Sequence, residues 1–461
     1  MAAVAPAAHP RHDPVRAPGP RFRTPFGFLS IMRRDPLGFL LDCARRYGDV
    51  VEVRFPPFRN ILVTSPSGVR HILQDNHRNY WKGLVLGKLK RVAGEGLVFS
   101  DGALWRRQRQ LIQPAFHRER ISAMADMMVE TTAARLDRWE AHAATGRPLD
   151  MAPEMSHLTL DIVSQALFGA DLGEDKAEFT HAVTAGMAYA NYLINHFFPL
   201  PLVVPTRANR RGRRAIASLD RVVWKIIEAR RRDTQDRGDL LGMLISARDA
   251  ETNEAMDDQQ LRDEAVTFLV AGHETTAVAL SWAWHLLSVN PSAERRLHQE
   301  VADVLGHRPP SLRDLSDLHY TRMVLEESMR LYPPVWATTR QAYHADEIEG
   351  FQVPAATVVT VSPYVTHRNP AFWDDPERFD PERFSAERSA GRPDYAYYPF
   401  GGGPRGCVGR QFALMEGQLV LAMVAQRFRL QAVPSHPIEP DPILTLRPRY
   451  GVLMTLQRRS A

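Results

Sequence analysis

The stretch Phe400-Gly401-Gly402-Gly403-Pro404-Arg405-Gly406-Cys407-Val408-Gly409 decides the fold, because it presents one cysteine on a loop. Four glycines and a proline within the seven residues 401–407 exclude a helix or a strand there. The apolar run from Arg410 to Phe428 then predicts a long buried helix. Cys407 therefore precedes a helix N-terminus, where unpaired N–H groups and the helix dipole favour an anion. We expect the Cys407 thiol to ionise readily.

A thiolate in a sheltered glycine loop suits an axial iron ligand, and the glycines let a flat macrocycle lie close to the backbone. A structural buried cysteine is the alternative for a cysteine taken alone. The pattern formed by Phe400, Gly403, Arg405, Cys407 and Gly409 resembles the cysteine-ligand loop of the haem-thiolate monooxygenases, the cytochrome P-450 superfamily. The resemblance implies heme b (iron protoporphyrin IX) held by the Cys407 thiolate, with Phe400, Gly403 and Arg405 beside the cofactor.

Composition limits the other possibilities. The chain has 461 residues without a Gly/Ser linker or an internal repeat, so we expect one domain over residues 21–461. Residues 1–20 are rich in Ala, Pro and Arg and are expected to be a disordered tail without a signal peptide or membrane anchor. Two cysteines are too few for a disulfide framework, which favours the cytoplasm. The net charge of +5 is scattered, so nucleic acid is not expected as a partner.

A second pattern is Trp105 with Arg109 at the start of a helix predicted after Asp101-Gly102. The i, i+4 spacing places the indole N–H and the guanidinium on one face, where the two donors suit a carboxylate. A partly buried tryptophan beside a solvated arginine is the alternative. The resemblance implies that this pair binds a haem propionate, and Arg340 is a candidate partner for the second propionate.

A third pattern is Ala271-Gly272-His273-Glu274-Thr275-Thr276, which interrupts an apolar helix predicted from Asp263 to Trp284. Glycine and β-branched residues are unfavourable inside a helix. Thr275 Oγ can bond the carbonyl of Ala271 and open a groove for a diatomic molecule and a water. Mere helix irregularity is the alternative. The resemblance implies the oxygen-activating helix, with Glu274 and Thr275 as the catalytic residues that deliver protons.

A fourth pattern is the pair Glu327 and Arg330, whose i, i+3 spacing places both side chains on one helix face before Pro333-Pro334. An exposed pair of this kind would contribute little to stability. The resemblance implies that Arg383 from a later loop joins the pair. These three residues are then structural and hold the fold around the haem.

The residues that would line a substrate pocket are less clearly marked. The resemblance places the segment 80–99, predicted as a loop with one short helix, over the substrate cavity. Apolar residues after the proline stop and in a short strand at 443–446 would also face it. The candidate lining residues are Leu84, Ala271, Val335, Trp336 and Leu444.

Together the patterns predict a mainly α protein with small β sheets, in the cytochrome P-450 fold. Its predicted elements include a helix at 36–47 and a hairpin of residues 50–55 and 60–64. The resemblance implies a monooxygenase that activates O2 with two electrons ultimately from NAD(P)H. It would hydroxylate or epoxidise a hydrophobic small molecule such as a fatty acid or terpenoid. Expected partners are ferredoxin or flavodoxin with an NAD(P)H reductase, and the chain is expected to be a monomer. A peroxide-dependent peroxygenase and a non-catalytic haem sensor or carrier are the alternatives.

Overall fold

A computed structural model describes residues 15–169, 173, 175–196, 199–232, 238–249 and 253–459. The α-helices within these residues are α1 (Pro25–Arg34), α2 (Pro36–Tyr47), α3 (Pro66–Arg70), α4 (Gly83–Gly87), α5 (Lys90–Ala93), α6 (Gly102–Ile112), α7 (Arg118–Ser122), α8 (Ala125–Thr145), α9 (Met151–Phe168), α10 (Asp175–Asn195), α11 (Arg207–Arg232), α12 (Leu240–Ser246), α13 (Asp258–Val289), α14 (Pro291–Leu305), α15 (His319–Leu331), α16 (Pro363–Thr366), α17 (Ala386–Ser389) and α18 (Arg410–Arg427). A π-helical turn covers His71–Asp75, and 3-10 turns cover Gln113–Phe116, Leu312–Ser316, Pro381–Phe384 and Gly403–Arg405.

The strands are short and form small sheets. They are β1 (Val50–Phe55), β2 (Phe58–Val63), β3 (Tyr80–Trp81), β4 (Leu149–Asp150), β5 (Thr338–Ala342), β6 (Asp346–Ile348), β7 (Phe351–Val353), β8 (Val358–Val361), β9 (Phe428–Ala432), β10 (Pro440–Pro442), β11 (Leu446–Pro448) and β12 (Leu453–Arg458). The largest sheet has the order β1-β2-β8-β5-β3. In it the antiparallel β1–β2 hairpin pairs in parallel with β8, with Val63 opposite Val361. This sheet therefore joins the N-terminal hairpin to residues 338–361.

The chain before α1 lies against this sheet. The amide of Glu52 donates to the carbonyl of Pro18 at 2.8 Å, and the amide of Gln352 donates to the carbonyl of Val15 at 3.1 Å. Ala17 is buried. Residues 15–20 were assigned to a disordered tail by composition, but these contacts make them part of the fold. The remainder of that tail, residues 1–14, lies outside the described residues.

The helical core is built around α13. Most side chains of α13 are buried on all sides, as expected of a helix in the middle of a large core. It packs most extensively against α9, where a Cβ on Gly272 would lie 2.8 Å from Val163 Cγ2. Gly272 is thus required for close packing of the two helices. The space beside Gly272 is filled by Val163 of α9, and the groove predicted at Ala271 and Thr275 stays a prediction.

The fold class is confirmed, since long helices surround small sheets. Helix α2, the β1–β2 hairpin, the helix that begins beside Trp105 and the helix after Cys407 lie where the sequence predicts them. Three details differ. Helix α13 is continuous through residues 271–276, segment 80–99 holds two short helices, and residues 443–445 form a bend between β10 and β11.

The predicted ion pair between Glu327 and Arg330 is confirmed at 2.6 Å, and both side chains have no solvent exposure. Arg330 Nη1 also donates to the carbonyls of His367 (2.9 Å) and Pro376 (2.7 Å). Arg383 lies 3.4 Å from Glu327 Oε1. A buried pair with its remaining donors satisfied by backbone carbonyls fixes loops that are distant in sequence. Its role in holding the site stays a prediction.

Replacing Glu327 with Gln should destabilise the protein by about 3–5 kcal/mol, because it leaves the Arg330 guanidinium buried without a counter-charge. Urea denaturation measures the change. The matched control is Glu326→Gln on the same helix, which removes the half-exposed pair with Arg322 and should cost about 1 kcal/mol or less. Equal losses from the two variants would contradict a special role for the buried pair.

Candidate functional site

The cysteine loop is shaped by one glycine and its own backbone hydrogen bonds. Gly403 has a φ of +61°, and a Cβ there would lie 2.0 Å from the carbonyl oxygen of Leu73 in the π-helical turn. The amide of Cys407 donates to the carbonyl of Phe400 at 2.9 Å, and the amide of Gly406 donates to that of Gly403 at 3.0 Å. Only glycine fits this close approach at a positive φ without strain. The loop therefore holds Cys407 in a fixed position two residues before the N-cap of α18.

The Cys407 side chain is exposed, although protein atoms surround it closely on its other sides. Burial raises the pKa of the Cys407 thiol, and this outweighs the opposing effects of the Gly409 N–H, Arg109 and Arg410. The expectation of ready ionisation is therefore wrong for the protein by itself. The helix N-terminus does favour the thiolate, but desolvation is the stronger effect. A bound metal cation would reverse the balance, because a coordinating thiol is deprotonated.

Positive charge collects beside this loop. Arg405 is paired with Asp101 at 2.6 Å, donates to the carbonyl of Ser100 at 3.0 Å and lies over the Trp105 ring at 4.3 Å. Burial, followed by the charges of Arg340 and Arg405, lowers the pKa of Lys82 well below its ordinary value. Burial and Arg405 lower the pKa of Arg340 to about 10. Three basic side chains thus share the single carboxylate of Asp101, so an anionic ligand would stabilise the charged forms of Lys82 and Arg340.

Trp105 and Arg109 lie on α6 as predicted. The Trp105 side chain is buried, and Arg109 Nη1 donates to the carbonyl of Gly406 at 3.0 Å. Arg109 lies close enough to Cys407 for the two side chains to affect each other's pKa. Arg109 therefore connects α6 to the cysteine loop, and binding of a propionate by the pair stays a prediction.

Helix α13 has an open face at Ala271 within an otherwise buried element. Ala271 is exposed, and Thr275 Oγ1 donates to its carbonyl at 2.7 Å, as the sequence predicted. The ring of Phe268, one turn earlier on α13, lies 5.4 Å from that of Phe116. Phe116 in turn lies 3.8 Å from the position of a Cβ on Gly409. The open face of α13 and the cysteine loop are therefore linked through one aromatic contact.

The carboxylate of Glu274 is held by the bend at 443–445. Thr445 Oγ1 donates to Glu274 Oε1 at 3.1 Å. The bend is itself fixed by two indoles, since Trp336 donates to the carbonyl of Ile443 at 2.9 Å and Trp282 donates to that of Leu446 at 2.7 Å. Glu274 and Thr275 are thus adjacent and separately anchored, in a geometry compatible with moving a proton.

An apolar cavity lies beside α13. Its lining residues carry only apolar side chains or none: Leu89, Val92, Ala93, Phe99, Val183, Gly186, Met187, Ala190, Leu219, Val266, Val270 and Leu444. Leu444 is thus where the sequence placed it. Ala271, Val335 and Trp336 do not line this cavity in the part of the chain that the structure describes, and the Leu84 side chain lies outside the described residues.

Trp336 has a different place from the one expected. Its indole packs against the small apolar clusters that contain Val365 and Tyr364, and its N–H donates to the carbonyl of Ile443. It therefore positions the bend that carries Leu444. Val335 is exposed, so its expected contact with substrate stays a prediction.

Two acidic side chains of α13 hold the loop that precedes α6. Asp263 Oδ2 accepts from the amide of Glu95 at 2.7 Å, and Glu264 Oε2 accepts from that of Leu97 at 3.0 Å. Glu264 is fully buried, and burial raises its pKa to about 8. This loop lies between the lining residues of α5 and Phe99. The acids therefore fix one wall of the apolar cavity.

The residues of this site fit a haem. An exposed thiol lies on a loop that only glycine allows, and three basic side chains with a single carboxylate among them suit two propionates. Cys407 would be the iron ligand, and Arg109, Arg340, Arg405 and Lys82 would surround the propionates. The open face at Ala271 and Thr275 would lie on the opposite side of the ring.

Comparisons with known proteins agree with this assignment. The family described as Cytochrome P450 matches residues 18–455. Cyclooctatin synthase of Streptomyces melanosporofaciens is 40% identical over 422 residues, 91% of each chain. Cyclooctat-9-en-7-ol 5-monooxygenase of the same organism is 39% identical over 413 residues, 88% of each chain. The crystal structure of the cytochrome P450DA heme domain superposes with a TM-score of 0.87 at 27% identity, covering 97% of this chain and 98% of that one.

The chain therefore belongs to the cytochrome P450 family. Membership and the monooxygenase relatives make it an oxidoreductase of the haem-thiolate monooxygenase type. The family implies haem with a cysteine thiolate ligand, redox partners and a hydrophobic substrate. Among the described residues, no helix combines the length and apolar character needed to cross a membrane.

Several residues of the site carry no local sequence signal. Lys82 and Asp101 are ordinary charged residues until folding brings them to Arg405. Glu416 on α18 is fully buried beside Thr276, and burial raises its pKa well above the ordinary value. A charged residue at an apolar helix position could have marked Glu264 and Glu416 as buried acids, since both lie within apolar helical stretches.

Glu264 predicts a pH-dependent stability. Its pKa is raised from 4.5 to about 8 by burial, so the folded chain binds this proton more tightly than the unfolded chain. The contribution of Glu264 to the free energy of unfolding is fully present below pH 4.5 and is lost as the pH rises towards 8. Between these values the free energy of unfolding of the wild type, relative to Glu264→Gln, should fall by about 1.4 kcal/mol per pH unit.

Urea denaturation of both proteins at a series of pH values measures this difference. A flat Glu264 profile would mean that its carboxyl ionises in the folded protein at an ordinary pH.

Proposed function

We propose that the chain is a monooxygenase that activates O2 with two electrons from NAD(P)H and hydroxylates a terpenoid-type molecule. The observation that carries the proposal is the exposed Cys407 thiol on the glycine loop, beside cations whose charge is only partly matched. Bound haem supplies the oxygen activation and the oxidising power. The chain's own residues bind, orient and control protons.

The cysteine loop supplies the iron ligand in a fixed orientation. Cys407 is anchored by its backbone bond to Phe400, and the nearby Gly409 N–H and Arg109 favour the thiolate against burial. Arg405 is fixed by Asp101 and by the Trp105 ring, so its position does not depend on the cofactor. Two propionates would raise the pKa of Lys82 and of Arg340 back towards their ordinary values. These residues would hold the cofactor beside the cysteine loop.

Thr275 and Glu274 are the proposed proton-handling pair. Thr275 Oγ1 donates to the Ala271 carbonyl, so its lone pairs face away from the helix ladder and can accept from a water. Glu274 keeps one oxygen on Thr445, and its second oxygen lies 3.9 Å from His273 Nε2. The two groups would pass protons towards bound oxygen.

The cavity favours a terpenoid over a fatty acid. Its lining offers no cation to pair with a carboxylate, among the residues that the structure describes. A buried carboxylate without a partner is strongly disfavoured. A polycyclic hydrocarbon or a single alcohol suits an apolar wall better. The relative that oxidises cyclooctat-9-en-7-ol, an alcohol by its name, agrees with this substrate class.

Electrons would come from ferredoxin or flavodoxin with an NAD(P)H reductase. The donor would dock on the side of Cys407, where Arg410 is exposed. Arg405 is paired with Asp101 and belongs to the site interior, so it does not contribute to this surface. We further propose a monomer of the cytoplasm, since both cysteines are free.

The test of the function is the carbon monoxide difference spectrum of the reduced protein, beside Cys407→Ala. A strongly red-shifted Soret band in the wild type, lost in the variant, is expected because only a thiolate ligand produces that shift. A band at the ordinary position in the wild type would exclude thiolate ligation. Product formation with donor proteins and NAD(P)H, without peroxide, separates the monooxygenase from a peroxygenase or a carrier.

The role of Thr275 is tested by a pair of variants of similar size. Thr275→Val removes the hydroxyl, and product formed per NAD(P)H consumed should fall by about tenfold or more, because proton delivery contributes at least that much. Thr275→Ser keeps the hydroxyl and should retain most of the yield. The same yield from both variants would show that the hydroxyl is not part of proton delivery.

A further inference from the structure

Tyr395 has a backbone conformation that bulky residues rarely adopt. Its φ is +66°, in the left-handed region where a side chain of this size is strained. Such strain persists only where the surrounding contacts over-determine the conformation, and it collects at functional sites. Tyr395 lies five residues before Phe400, at the approach to the cysteine loop. The contacts that hold Tyr395 there indicate what it does.

The Tyr395 side chain packs against the first half of the cysteine loop. A Cβ on Gly402 would lie 2.2 Å from Cε1 of the Tyr395 ring, so the ring rests directly on the backbone of Gly402. Burial raises the pKa of the Tyr395 hydroxyl, and the backbone N–H of Gly403 opposes this rise, which places that N–H at the hydroxyl oxygen. The same hydroxyl donates to Gln74 Oε1 at 2.8 Å. One side chain thus contacts two loop glycines and the π-helical turn.

The π-helical turn is an anchored support. Asp346 on β6 accepts at Oδ2 from His71 Nε2 at 2.7 Å and from Asn76 Nδ2 at 3.0 Å. His71 is the first residue of the turn and Asn76 follows the last, so one carboxylate ties both of its ends. Turns of this kind are rare and occur frequently at functional sites. The acceptor that Gln74 offers is therefore held on a fixed segment.

The first half of the cysteine loop needs a restraint from outside the loop. The second half is fixed by Arg109, which donates to the Gly406 carbonyl at 3.0 Å, and by the backbone bond of the Cys407 amide. The first half consists of three consecutive glycines, residues 401–403. Glycine loses more conformational freedom on folding than any other residue. Contacts with Tyr395 offset part of that loss.

We propose that Tyr395 is a positioning residue for the iron ligand. Its hydroxyl joins the cysteine loop to the π-helical turn, and this connection keeps Cys407 where its thiolate holds the iron. We call the contacts among Gln74, Tyr395 and Gly403 the Tyr395 bridge. Without the bridge the loop samples other conformations, and thiolate ligation is lost sooner. The inference rests on the proposed ligation by Cys407 but needs no substrate and no electron-donor protein.

The hydroxyl can be removed without unfolding the chain. The Tyr395 side chain is half-buried and Gln74 is exposed, so water can satisfy the Gln74 amide when the hydroxyl is absent. The change then costs only the net contribution of the hydrogen bond, since no buried polar group is left without a partner. Tyr395→Phe also keeps the ring on Gly402. This variant therefore tests the bridge separately from the packing of the ring.

The experiment follows thiolate ligation in the full-length holoprotein, in urea below the unfolding transition. Conversion of the red-shifted carbon monoxide band of the reduced protein to a band at the ordinary position reports loss of the thiolate ligand. Tyr395→Phe should accelerate this conversion by about two- to tenfold, the factor expected from one net hydrogen bond. The matched control is Tyr189→Phe on α10, which removes a hydroxyl bond of 3.0 Å to Asn209 and should convert at the wild-type rate.

A second pair of variants tests the other end of the bridge. Gln74→Leu removes the acceptor and should accelerate conversion as Tyr395→Phe does, whereas Gln74→Glu keeps an acceptor oxygen and should remain close to the wild type. The double variant Tyr395→Phe/Gln74→Leu should convert no faster than either single variant, because both remove the same interaction.

Three results would overturn the inference while thiolate ligation stands. They are an unchanged rate in Tyr395→Phe, an equal acceleration in Tyr189→Phe, and conversion that occurs only together with loss of the far-UV circular dichroism signal. The last result would make Tyr395 a contributor to global stability alone. A wild type without the red-shifted band would instead overturn the proposed function, and the role of Tyr395 with it.

Discussion

The buried ion pair between Glu327 and Arg330 is the constraint on which the rest of the molecule depends. Two charges without solvent exposure are tolerated only if each of their hydrogen-bonding groups finds a partner. Arg330 finds its partners in backbone carbonyls at 367, 376 and 378, and Glu327 accepts from the amide of Asp380. The loop between β8 and the cysteine loop therefore has one acceptable position. Because the chain continues from this loop to Cys407, the loop also restricts the position of Cys407.

The ligand site differs from this ion pair in how its buried charges are matched. Around Glu327 the buried charges are matched within the chain. Around Arg405 they are not, because burial and neighbouring arginines lower the pKa of Lys82 and of Arg340, and only Asp101 compensates. A folded protein holds unmatched buried charge where a ligand completes the balance. The difference between the two clusters separates a structural centre from a binding centre without reference to any motif.

Local patterns predicted the site well where the physical cause is local. The spacing of Glu327 and Arg330, the need for glycine at Gly403 and the bond from Thr275 to the Ala271 carbonyl all depend on nearby backbone geometry. Each is found in the structure. The resemblance to a family supplied the rest of the assignment, including the partnership of Arg383 with Glu327.

Predictions failed where the cause is distant in sequence. The direction of the Cys407 pKa depends on how closely other elements surround the thiol, which a helix N-terminus alone does not reveal. Gly272 is required by Val163 on another helix, and Trp336 turns towards Ile443 because of a carbonyl that lies 107 residues later. Lys82 could not be recognised, since only folding brings it to Arg405. Propensity and spacing describe one element at a time, and these contacts join two or three.

The parallel pairing of β2 with β8 sets an order of events during synthesis. Asn60 of β2 lies opposite Val358, so the N-terminal hairpin waits for about 300 residues of chain before its sheet can close. The carbonyls that satisfy Arg330 also emerge after α15. On the ribosome the helices up to α15 can pack early, while the sheet, the cysteine loop and α18 assemble last. Loading of a cofactor is thereby confined to a nearly complete chain.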